Sequence, residues 1–111
     1  MSEDLAGLLA AGERAAFHGR PAAGVAPLQQ AVEIAHAAGR DDEATAAAWL
    51  LGVALGAAGR YGSALAVLEP VAERAALAHP ARRLFASLAA STAASVHRQL
   101  CLLYTSDAAD E

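Results

Sequence analysis

The sequence has no lysine and no asparagine, one cysteine, one isoleucine (Ile34) and five aromatic residues. Each shortage removes a class of protein. All eight basic residues are arginines spread along the chain. They form no clustered basic footprint, so direct nucleic-acid binding is not expected. A lone Cys101 cannot close an intramolecular disulfide. The scarcity of β-branched and aromatic residues argues against a sheet. The N-terminus, Met1-Ser2-Glu3-Asp4, is acidic and lacks the positive region of a secretory signal, so a cytoplasmic location is expected. The longest uncharged run, Ala44–Gly59, is short of the ~20 apolar residues needed to span a bilayer. Gly52 and Gly56 within it have the spacing of a membrane helix pair, but they coincide with packing positions of the repeat described below, and no membrane partner is expected.

Alanine is what the chain has in abundance, 33 of 111 residues. It is the best helix former and has the smallest side chain that still favours a helix. With 56% hydrophobic residues, the composition predicts closely packed helices rather than disorder. The bias toward alanine, arginine, glycine and proline points to a GC-rich bacterial genome. The net charge of −4 owes much to Asp107, Asp110 and Glu111.

The chain repeats itself at an offset of 40. Gly12 falls on Gly52, Gly19-Arg20 on Gly59-Arg60, Leu28 on Leu68 and Glu33 on Glu73, with no gap from Ala6 to Ala38. The apolar stripe repeats as well. Val25, Leu28, Ala31, Val32 and Ala35 recur as Leu65, Leu68, Val71, Ala72 and Ala75, on the 3.6-residue period of a helix. Each repeat therefore reads as two helices, about 3–18 and 21–38, then 42–58 and 61–77. A fifth helix is expected over 81–100, after the break at His79-Pro80. The repeats span about 3–40, 41–79 and, in part, 80–100.

The boundaries have physical causes. Asp41 is expected to cap the third helix, and Ser2, Glu3 and Asp4 the first. Gly19, Gly39 and Gly59 are expected to end helices in the left-handed conformation. Pro21 suits a first helical position. Pro27 and Pro70 fall inside helices, where each removes a backbone donor, so a bend or a late start is expected there.

Trp49-Leu50-Leu51-Gly52, followed by Leu55, Gly59, Tyr61, Ala64, Leu68 and Val71, resembles a tetratricopeptide repeat. The likeness is best over 45–74. The first copy keeps Gly12, Gly19, Gly24, Leu28 and Ala31 but has Pro21 in place of the tyrosine, and the 40-residue spacing exceeds the usual 34. The resemblance implies an all-α solenoid of antiparallel helical hairpins, two repeats and the first helix of a third. It also implies a function, that of a protein–protein interaction scaffold binding a protein or peptide in a groove lined by the first helices. By position, that lining would comprise Leu9, Glu13, Phe17, Trp49, Leu50, Val53, Ser91, Ser95 and Arg98. Phe17 and Trp49 are the natural anchors, because aromatics dominate binding energy; Trp49 serves equally well for packing between repeats. One subclass clamps a peptide carboxylate with lysines and asparagine, and this chain has neither. The alternative is the sensor or autoinhibitory region of a bacterial transcriptional regulator.

Residues 101–111, Cys-Leu-Leu-Tyr-Thr-Ser-Asp-Ala-Ala-Asp-Glu, resemble something else: the in-frame translation of a transposase mosaic end joined to a sequencing adaptor. The glycine of a third repeat would fall at position 101, where the chain has Gln99-Leu100-Cys101. Natural sequence is therefore expected to end at Leu100, as the N-terminal part of a longer protein. An uncovered last helix would favour self-association.

No constellation suggests catalysis, a cofactor or a metal. His97 lies one turn before Cys101, but nothing in the sequence orients it as a base. His18, His36, His79 and His97 lack metal-ligand spacing. The Ser87, Ser91, Ser95 spacing marks one polar face of the fifth helix. A small helical enzyme is a distant alternative.

Overall fold

A computed structural model describes the backbone of residues 5–76 and 83–109, and the side chains of residues 5–73 and 87–102. All five described elements are helices: α1 (Leu5–His18), α2 (Pro21–Ala37), α3 (Asp41–Ala57), α4 (Tyr61–Ala76) and α5 (Arg83–Ala109). The expected caps at Ser2 to Asp4 and the break at His79-Pro80 lie outside the described residues.

Short turns fold α1 to α4 back on one another as neighbours. Each helix packs against the next in sequence, and α3 also meets both α1 and α5. The odd-numbered helices therefore form one layer, with α2 and α4 behind them. The radius of gyration, 14.7 Å, exceeds the ~13 Å of an average globular chain of this length, and the longest extent is 53 Å.

The 40-residue repeat is visible as packing. A Cβ placed on Gly12 would land on the Leu28 side chain, and one placed on Gly52 would land on Leu68 in the same way. Leu28 and Leu68 are the largest side chains shut off completely from solvent. Each leucine thus fills the space that a glycine leaves on the facing helix, and full burial of such a side chain contributes about 2–3 kcal/mol. Gly24 makes a second close approach, with room for no more than its hydrogen near the Gly12 carbonyl and the Ala15 methyl. One core runs from Ala16 through Leu51, Leu55 and Leu68 to Ala89, Ala93 and Val96. A smaller one joins Leu5, Leu8, Ala31, Ala35, Ala44 and Ala47 at the other end.

The turns follow a shorter period. After α2, Gly39 has φ +70°, its N–H donates to the His36 carbonyl at 3.1 Å, and the Arg40 N–H donates to Ala35 at 2.8 Å. After α3, Gly59 has φ +83°, with the matching bonds to Gly56 (3.1 Å) and Leu55 (2.8 Å). Both are Schellman caps, which need a left-handed residue. Gly19 departs from the expectation: it is not left-handed. Only two residues separate α1 from α2, against three at the Gly39 and Gly59 turns, so Gly19 follows α1 directly, where Ala38 and Ala58 stand in the other two, and no further residue precedes the cap Arg20. Arg20, held before Pro21, is extended (φ −100°, ψ 105°).

Three further expectations are corrected. Asp41 is the first residue of α3 and not its cap; Arg40 holds that place without a side-chain cap bond, and its guanidinium pairs with Glu43. Of the bend or late start expected at Pro27 and Pro70, the late start does not occur, since α2 begins at Pro21 and α4 at Tyr61 and both run on past the prolines. Finally, α5 does not stop at Leu100 but continues to Ala109. Residues 101–109 contain neither glycine nor proline, so nothing in them ends a helix. No described helix is long and apolar enough to cross a membrane.

Candidate groove on the odd-numbered helices

The layer formed by α1, α3 and α5 is tied together by one side chain. Trp49 stands at the centre of α3, half-buried, where α1 carries Leu9 at the equivalent repeat position. On one side its ring meets Phe17 of α1, with centroids 6.2 Å apart and planes inclined at 43°. This is a tilted aromatic pair, a geometry that the ring quadrupoles favour. On the other side the indole Nε1–H donates to the Thr92 hydroxyl of α5 at 3.2 Å. Thr92 in turn donates to the Leu88 carbonyl one turn back, at 2.8 Å. The hydroxyl is thus fixed as an acceptor for tryptophan, which satisfies an indole donor that would be costly to leave unpaired in a partly buried site.

Beside this bridge, α3 and α5 diverge around a cleft of about 370 Å³. Its apolar lining is Val53, Gly56 and Val96, with Ala57 exposed at the edge. Its rim is polar and uncharged: Tyr61, Thr92, Ser95 and Gln99. Gly56 lets α5 come close, because a Cβ there would stand 3.2 Å from the Val96 methyl, which would have to give by a few tenths of an ångström. At this cleft the two helices meet at Trp49 with Thr92 and at Gly56 beside Val96.

Of the residues expected to line a groove, Val53 and Ser95 meet in this cleft. Phe17 and Trp49 meet beside it. Ser91 and Arg98 are exposed on α5, and Glu13 is exposed on α1 one turn before Phe17. Leu9 is half-buried and packs against both cores. Leu50 is a core residue, 7% exposed, and contributes to packing.

Thr92, Gln99 and Tyr61 line the cleft without having been among the expected groove residues. Thr92 had one legible signal: a tryptophan in a half-buried position needs an acceptor, and Thr92 lies on α5 between Ser91 and Ser95. Among the described residues, no group of three His, Cys, Asp or Glu side chains could hold a metal ion. Smaller depressions among the described residues include one of about 240 Å³ between α2, α3 and α4 near Pro70 and one of about 210 Å³ beside Leu5 and Arg40. Compared with known protein families, curated proteins and solved structures, the chain matches none.

Proposed function

We propose that this chain is a tetratricopeptide-like helical-repeat scaffold that binds a protein or peptide segment along the face of its odd-numbered helices. The observation that carries the reading is the continuity of that face. Phe17, Trp49 and Thr92 link three helices in one line, and the line runs into an open cleft with an apolar lining and a hydrogen-bonding rim. An extended peptide has the same chemistry, alternating side chains with amide donors and acceptors. A rim of Ser95, Gln99 and Thr92 can bond to a peptide backbone without fixing its sequence. The apolar lining takes small apolar side chains.

Selection from a random peptide library on the full chain tests this. Ser95→Arg serves as the control, because it fills the cleft from an exposed position and leaves the core intact. Peptides enriched on the native chain should lose at least tenfold in affinity on the variant. A library that enriches nothing on the native chain over Ser95→Arg would end the reading.

Among the described residues, the lining of the cleft ends at Gln99. The resemblance of residues 101–111 to adaptor sequence leads us to treat them as foreign to the natural chain. Re-amplification of the locus from source DNA should give different codons after Leu100; finding the same eleven codons there would refute this.

A further inference from the structure

Phe17 is 49% exposed, an unusual place for a phenylalanine in a chain with five aromatic residues. Its ring already rests against Trp49, so what it shows to solvent is the outer part of an aromatic pair held at a fixed angle. Glu13 precedes it by one helical turn and is exposed. Residues four apart lie one above the other on a helix, so Glu13 and Phe17 share a flank. That flank is the one facing α3, since Phe17 reaches Trp49 there. The basic residues of α1 near Phe17, Arg14 and His18, fall about 100° or more round the helix from Glu13, on the outer side. No ion pair among the described residues occupies the Glu13 carboxylate.

We propose that Glu13, Phe17 and Trp49 form a recognition point for a cationic side chain, an arginine or lysine of the bound peptide. The inference rests on the peptide-binding reading above and adds a chemistry to it. A ring presents its negative face to a cation. An adjoining carboxylate supplies the opposite charge, and neither group has to be desolvated fully to act. A guanidinium suits the site better than an ammonium, because it stacks on an aromatic face while keeping donors in its plane for Glu13. The described lining of the neighbouring cleft has no charged residue, so Glu13 is the nearest acidic group this reading offers to a bound cation.

The test uses the full chain, with Trp49 as the sole tryptophan reporter. The probes are a capped alanine-rich peptide with two arginines and the same peptide with citrulline, which keeps shape and hydrogen bonding but removes the charge. The arginine peptide should change Trp49 fluorescence saturably, with an affinity about tenfold above that of the citrulline peptide, combining a two- to fivefold effect from each of two exposed interactions. Glu13→Gln and Phe17→Leu should each weaken binding about two- to fivefold and leave the circular dichroism spectrum unchanged. Phe17→Leu separates ring electrostatics from simple apolar contact. Equal affinity for the two peptides, or binding of neither, would overturn the proposal. The broader reading fails separately: library peptides that need the cleft but carry no basic residue would sink the cation site alone, whereas a library that enriches nothing would sink both.

Discussion

The two helix pairs, α1 with α2 and α3 with α4, are the same object in one respect and different objects in another. Both close on a glycine seated beneath a leucine, Gly12 under Leu28 and Gly52 under Leu68. Yet the turn inside the first pair lacks a left-handed residue, while the turn inside the second has one at Gly59. The turn that matches Gly59 is instead the one between the pairs, at Gly39. The glycine–leucine contact recurs 40 residues apart, whereas the left-handed turn recurs 20 apart, at Gly39 and Gly59, and is missing at Gly19. The lesson is that an interlocking contact needs two helices to define it, whereas a cap needs only the end of one.

The comparison is broken most forcefully at the leucines. Leu68→Ala should cost about 2–5 kcal/mol by urea unfolding, from lost burial and the cavity left behind. Leu28→Ala should cost less within that range, because its partner helix α1 packs chiefly against α2 and α3, whereas α3 packs against α1, α2, α4 and α5 and offers less room to relax. Gly52→Ala, which drives a methyl into Leu68, should cost about 1–3 kcal/mol. In a Leu68→Ala background the same substitution should become neutral or stabilising, since the clash is gone and alanine favours a helix by about 1 kcal/mol over glycine. Additive costs in the double variant would show that the glycine and leucine are not one interlocked unit.

Much of this was legible before any coordinates. The positions of Gly12, Gly52, Leu28 and Leu68 could be read in phase because glycine and leucine are distinct marks in an alanine-rich chain. The four helices 5–76 follow from that register. Turn geometry was harder, since Gly19, Gly39 and Gly59 look alike in sequence, each followed by arginine. What separates them is the length of the turn, two residues at the first and three at the others, which depends on where Pro21 starts α2. The end of α5 was misjudged because a turn was inferred from repeat register alone, while the local sequence after Leu100 contains no residue that stops a helix. In the groove, Phe17, Trp49, Val53 and Ser95 were legible from position. Leu50 was not separable from them, because a residue adjacent to a groove position turns about 100° away and into the core.

The turns provide a finer discriminator. Gly39→Ala and Gly59→Ala should each cost roughly 1–2 kcal/mol, because both force a Cβ into left-handed backbone. Gly19→Ala should cost nothing and could add about 0.5 kcal/mol by restricting the unfolded chain, as the nearest atom to its Cβ would be an ordinary 3.6 Å away. Thermal melts of the three variants would show two falls and one unchanged or raised midpoint. Three equal falls would mean that the first turn is built like the others.

A local effect is expected where the pairs differ by a single side chain. Trp49 occupies the place that Leu9 holds in the first pair, and only the tryptophan makes a polar contact to the next helix of its layer, through Thr92. Thr92→Val keeps the shape of the side chain and removes the hydroxyl. It should cost about 1 kcal/mol, the ordinary worth of one hydrogen bond with a partly buried donor left unpaired. The loss is modest because Trp49 keeps its contact with Phe17, which ties α3 to α1 and not to α5. Its signature is spectroscopic: fluorescence from Trp49 should shift as the indole N–H loses a fixed acceptor, while helical content stays the same. An unchanged spectrum with an unchanged melt would mean that the bridge from α3 to α5 is carried by Val96 packed beside Gly56 alone. The continuity of the groove would then rest on apolar packing, and the difference between Trp49 and Leu9 would be one of size.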